Sequence, residues 1–188
     1  TLSRGLGDVY KRQISMFTVR ELNRELYRDV KSGRDDYWIE DYKPEHMRLA
    51  EVRFLDKMLM DSFDEDFVSN RYTPGYSFTA FYKGQVVMIY GISPLWKGVA
   101  DLYMVPTVHL NKHKFVFHKA ALRFFEYTAR RMQLHRYQCY VCCRNVAAVK
   151  WIEACYFHFE GKLYKFGPDL EDYSCLLYTS DAADELCR

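Results

Sequence analysis

The chain has 188 residues, 49% of them hydrophobic and 17% aromatic, with charged residues at 28% and a formal net charge of +2. That apolar content supports a buried core and excludes a disordered polymer. The near balance of charge argues against a nucleic-acid partner, and no apolar run reaches the length of a membrane span.

The two ends read as inverted copies of one DNA segment. Residues 8–13, "DVYKRQ", can be encoded by GAT GTG TAT AAG AGA CAG, whose reverse complement, read from its second base, gives "CLLYTS". That is the sequence at 175–180. Such a pair is expected of a transposase-type sequencing-library adapter, so residues 1–13 and 175–188 are set aside as adapter-derived scars. A helix-bearing segment at 14–36 and a single domain at 37–174 remain. The scars carry basic and acidic residues in equal number, so the net charge is unchanged by their removal.

Thr18 stands three residues before Glu21, with Phe17 ahead of the pair and Leu22 after it, which predicts a capping box and hydrophobic staple. Val19, Leu22, Leu26 and Val30 extend the helical spacing over 19–31, with Gly33 as a stop. "YWIEDY" then predicts a strand. Pro44 opens a second helix that would carry Met47, Ala50, Phe54 and Met58 on one face. The period then changes: two strand runs meet at Lys83-Gly84, the pattern of a hairpin. "ADLYMVPT" is a further strand ending in Pro106, which cannot donate to a ladder.

A long helix is predicted over 112–132, with Phe115, Leu122, Phe125, Ala129 and Met132 inward and Lys119, Arg123, Glu126 and Arg130 outward. A strand at 137–143, a helix at 145–155 and a strand at 157–166 follow. Cys139 and Cys142 form a C-x-x-C, but strand alternation puts them on opposite faces. With Cys143 and Cys155 they read as buried, reduced core cysteines. His109, His113 and His118 have no acidic ligand at a matching place and read as surface histidines rather than a metal site.

The order of elements resembles that of the GNAT superfamily of acyl-CoA N-acyltransferases, over residues 37–174. The most specific part is "RNVAAVKWIEACYF" at 144–157, where Asn145, Ala148, Trp151, Glu153 and Phe157 match places in the family's pattern. "LYMVP" at 102–106 is similar to the family's fourth strand, where pairing with the fifth splays apart and the pantetheine arm enters. The fold this implies is a single α/β domain, with a mixed, mostly antiparallel sheet flanked by helices, preceded by an extra N-terminal helix. The implied activity is acetyl transfer from acetyl-CoA to an amine on a small molecule or protein.

Three departures stand beside these matches. The turn "TVHLNKHKFVF" has no glycine, whereas the family closes bare backbone amides on a pyrophosphate there. Ile152 stands where many members have a tyrosine that protonates the departing thiolate, and Tyr156 replaces the glycine before Phe157. Through "VPT" and "RN" the chain also resembles a bacteriophage-encoded GNAT-like branch that includes an internal virion or assembly protein. That branch implies the alternative: a catalytically silent, GNAT-fold protein that meets other virion proteins in the cytoplasm of a bacterial host.

Direct acyl transfer needs a group to take the amine's proton and donors for the thioester oxygen. Asp101 is the candidate base, although an Asp at the start of a strand is ordinarily exposed to solvent. Tyr103 is a positioning group on the same face, and Tyr156 offers a phenol four residues beyond Ile152. The main chain at Met104 and Val105 would meet the pantetheine amides. Lys112, His113 and Lys114 would hold its phosphates by charge. Asn145 reads as a helix cap with an added contact to the cofactor.

Overall fold

The computed structural model describes residues 17–30, 36–53, 75–167 and 170–178. Helix α1, Val19–Leu26, begins at the predicted capping box: Glu21 donates its backbone N–H to Thr18 Oγ1 at 3.2 Å, and Thr18 returns its own to Glu21 Oε2 at 3.2 Å. Phe17 and Leu22 are both buried, as the staple requires. The helix ends at Leu26 rather than near Lys31, because Arg123 takes the Leu26 carbonyl at 3.0 Å and Tyr27 turns into the core. Residues 31–35 lie outside the described residues.

Strand β1, Tyr37–Asp41, is the edge of the sheet. Asn23 of α1 covers that edge, accepting from the Ile39 N–H at 2.8 Å and donating to the Ile39 carbonyl at 2.9 Å. A side-chain amide thereby does what a neighbouring strand would do. Helix α2, Pro44–Leu49, is shorter than expected. Ala50 is already extended, because Val52 bridges Thr107 and Glu51 accepts from the Val108 N–H at 2.9 Å. Phe54 and Met58 lie outside the described residues.

Strands β2, Ser77–Tyr82, and β3, Gln85–Trp96, form the predicted hairpin, with both Lys83 and Gly84 at positive φ as its tight turn demands. Strand β4, Val99–Pro106, follows. A 3-10 helix, Val108–His113, occupies the stretch expected to begin the long helix, and α3, Lys114–Arg131, continues directly from it. Its core face is Phe117, Ala121, Phe124, Phe125 and Thr128. Phe115, expected inward, is 76% exposed, and Arg123, expected outward, bonds to α1. Apolar residues lie nearly all round this helix, so periodicity allowed more than one stripe and packing chose between them.

Strand β5, Arg136–Cys142, helix α4, Val146–Glu153, and strands β6, Phe157–Leu163, and β7, Tyr173–Tyr178, complete the described elements. The seven-stranded sheet has the order β1-β2-β3-β4-β5-β7-β6, with β4 and β5 parallel and the other described pairs antiparallel. Residues 175–178, which the codon symmetry sets aside, stand inside this sheet, and Cys175, Leu176 and Tyr178 are buried. The main core lies between the sheet and α1 and α3; a smaller cluster on Phe81, Val86, Ile89 and Val105 packs with α2 residues such as Met47. Among the described residues no helix is long and apolar enough to cross a membrane.

Candidate functional site

Strand β4 pairs with β5 only through Val99↔Arg136, Ala100↔Tyr137 and Asp101↔Gln138, while its other edge follows β3 as far as Pro106. Beyond Asp101 the β4–β5 ladder ends, so β4 from Leu102 on has no β5 partner, and this gap is the candidate slot. Pro106 is not its cause, because the ladder is already lost at Leu102. On its other edge β5 pairs with β7 from Tyr137↔Tyr178 to Cys142↔Tyr173.

Asp101 stands at the closed end of the slot. It is 9% exposed, not the solvated strand-start residue that its position suggested. Gln138 Nε2 donates to Asp101 Oδ1 at 2.7 Å and to the Tyr140 hydroxyl at 2.7 Å. Gln138 Oε1 in turn accepts from Arg136 Nε, and Arg136 Nη1 meets Glu160 Oε1 at 2.8 Å. Gln138, Tyr140, Arg136 and Glu160 escaped the sequence reading. The signal was there in the alternation of Arg136, Gln138 and Tyr140 along one face of β5.

Tyr103 shares the Asp101 face, but it reaches the other way. Its ring crosses Gly91 on β3, and its hydroxyl donates to Ser77 Oγ on β2 at 2.5 Å, so it does not enter the slot as a positioning group. Met104 is half-buried against the main core and Val105 is buried in the smaller cluster, which leaves the β4 main chain between them along the slot.

His113 is also redirected. Its Nδ1 lies 3.0 Å from the Tyr37 hydroxyl and its ring lies 4.0 Å from that of Tyr82, so it packs on the β1–β2 edge. Burial holds its pKa below the ordinary histidine value, helped by the charges of Lys112 and His109. Lys112 and Lys114 are exposed beside the turn, with Lys114 Nζ over the Phe115 ring at 5.2 Å. The turn's backbone differs from an open anion cradle, since Thr107 caps a 3-10 helix in which the amides close short-range bonds.

Asn145 caps α4, accepting from the Ala148 N–H at 3.2 Å. Ile152 is buried in the core. Phe157 pairs with Tyr178 and Tyr178 with Tyr137, which puts Tyr156 at the level where β4 and β5 are still joined.

The cysteines and histidines differ from expectation in part. Cys139 and Cys155 are buried free thiols, with the pKa of each raised by burial, that of Cys155 to about 12. Cys142 and Cys143 are only half-buried. His109 lies 3.5 Å from Glu51, and His118 Nδ1 lies 3.6 Å from Cys155 Sγ, so neither is a free surface histidine. Among the described residues no group of three or more His, Cys, Asp or Glu could hold a metal ion.

No protein-family model matches the chain, and no curated protein matches it in sequence. Solved structures do resemble it. An acetyltransferase of the GNAT family from Bacillus anthracis aligns with a TM-score of 0.60 at 16% identity, covering 78% of this chain and 96% of that one. Ard1 from Thermoplasma volcanium aligns with a TM-score of 0.64 at 13% identity, over 77% and 97%. The yncA protein of Salmonella typhimurium, a putative acetyltransferase solved with its cofactor acetyl-CoA, aligns with a TM-score of 0.55 at 12% identity, over 77% and 94%. The chain has the GNAT fold.

Proposed function

We propose that the chain transfers an acetyl group from acetyl-CoA to an amine, with Asp101 as the base. One observation carries the reading: a buried carboxylate stands where a slot between two parallel strands begins. The slot fits an extended thioester arm, because the β4 main chain at Met104 and Val105 has no β5 partner there. Lys112 and Lys114 would meet the phosphates as point charges in place of the family's amide cradle. Asn145, at the start of α4, would contact the same molecule.

In this reading the amine nitrogen attacks the thioester carbonyl, the C–N bond forms and the C–S bond breaks. Asp101 takes the proton that the amine gives up, and the departing thiolate takes one from solvent or from Tyr140, the phenol bonded to Gln138. Positioned proton transfer of this kind contributes roughly 10²–10⁴-fold. Tyr156 and Ile152 have no part in it.

A second reading is favoured by the 3-10 turn and by the buried Ile152: a GNAT-fold protein without catalysis, assembling with other proteins of a phage particle inside a bacterial cytoplasm. Calorimetric titration with acetyl-CoA separates the two. Micromolar binding that K112A/K114A weakens, together with turnover lost in D101N, supports transfer. A folded chain that takes up no acetyl-CoA at millimolar concentration sinks it and leaves assembly.

A further inference from the structure

We propose that Gln138 is a positioning residue for Asp101: its amide, locked in one orientation by Arg136, presents a neutral donor to the carboxylate and keeps the arginine's charge one residue away. This rests on the acetyl-transfer reading. The orientation of an amide is decided by its partners. Arginine has donors only, so the Gln138 atom facing Arg136 must be Oε1, and Nε2 must face Asp101 and Tyr140. Arg136 is itself fixed by Glu160, which reaches over from β6 and also accepts from Cys175 Sγ at 3.4 Å.

The resulting chain, Glu160–Arg136–Gln138–Asp101, crosses four strands where β4 and β5 are still joined. Its charges are already paired at the far end. A guanidinium placed directly on Asp101 would strip the carboxylate of its basicity. A glutamine at the same place holds the rotamer with one neutral hydrogen bond and leaves the base able to accept a proton. Cys139 on β5 and Cys175 on β7, both thiols raised by burial, also feel Asp101. Gln138 is 6% exposed, so water cannot replace it as donor.

The test uses the full chain labelled with ¹³C at aspartate carboxyls, with the Asp101 resonance identified by its loss in D101N. In Gln138→Leu the acid dissociation constant of Asp101 should fall roughly tenfold, because a hydrogen bond to the charged form is lost. Gln138→Glu should lower it as well, by putting a second carboxylate beside the first. It also serves if the leucine variant does not fold. An Asp101 titration unmoved in a folded variant overturns the proposal. Thiol release from acetyl-CoA with a panel of primary amines is followed in parallel. Its acid limb should move to higher pH with the Asp101 titration, while the acetyl-CoA Kd stays within twofold. A wild-type chain without turnover, in which Gln138→Leu still moves Asp101, would sink the transfer reading and leave the positioning intact.

Discussion

The ring of Tyr103 fills the space that a side chain at Gly91 would need. A Cβ on Gly91 would stand 2.2 Å from Tyr103 Oη and 2.5 Å from the Tyr76 carbonyl oxygen, so one of its two obstacles is backbone. Gly91→Ala should therefore destabilise the fold by about 1–3 kcal/mol, the usual cost of overpacking. Urea denaturation followed by tryptophan fluorescence measures it, and an unchanged midpoint would mean that the ring has another place to go.

Asn23 closes the edge of the sheet with two hydrogen bonds to Ile39. Asn23→Ala leaves an amide and a carbonyl of β1 without them, at a cost of about 1–3 kcal/mol. The uncovered edge should also pair between molecules. Light scattering during mild heating should show earlier aggregation than in the wild type.

Tyr156 sits at φ +67°, a left-handed place at the end of α4 where glycine is usual. Tyr156→Gly should stabilise the chain by about 0.5–1 kcal/mol, since relief of backbone strain outweighs the added freedom of the unfolded chain. Acetyl transfer should be unchanged. A large loss of turnover would return Tyr156 to the site.

Stability should fall below neutral pH through His113 and His46. Burial is the first cause of a lowered pKa in both. A histidine whose folded pKa lies below its unfolded one contributes nothing unfavourable above about pH 6.5, where both states are neutral. As pH drops from there through the lowered folded values, the unfolded chain takes up protons first and folding weakens. Denaturant midpoints between about pH 7.5 and 5 should fall, and H113N should flatten the slope; equal slopes would remove His113 from the account.

Asn145 shows how a local signal and a functional one separate. Its cap is present as a 3.2 Å bond to the Ala148 N–H, and Asn145→Ala should cost about 1 kcal/mol. Asn145→Asp keeps the cap. If Asn145 also contacts acetyl-CoA, the aspartate variant should keep the stability and lose affinity, because a carboxylate faces the phosphates. Equal Kd values would leave the residue a cap alone.

Much of the fold was legible because the pattern of strands and helices recurs at fixed periods and the hairpin turn has its own chemistry. The slot between β4 and β5 was legible through the family resemblance, but its cause was not. Proline at 106 is a local reason, but the ladder already ends at Asp101, five residues before it. The same limit explains the misplaced side chains. Phe115 and Arg123 exchanged their expected roles because α3 carries apolar residues on several faces and α1 decides which of them is covered.

The sequence by itself determined the features that close within a few residues: the Thr18–Glu21 box, the Lys83-Gly84 turn and the Asn145 cap. The box and the cap each need only a side chain and a backbone group three places away, and the turn only two neighbouring residues at positive φ, so the chain's local spacing is enough. Tertiary structure decided the burial of Asp101, the amide of Gln138 beside it, the path of Tyr103 over Gly91 and the turn of His113 toward Tyr37. Those contacts depend on strand order and register. Residues 37 places apart, as Asp101 and Gln138 are, meet only once the sheet has chosen its neighbours.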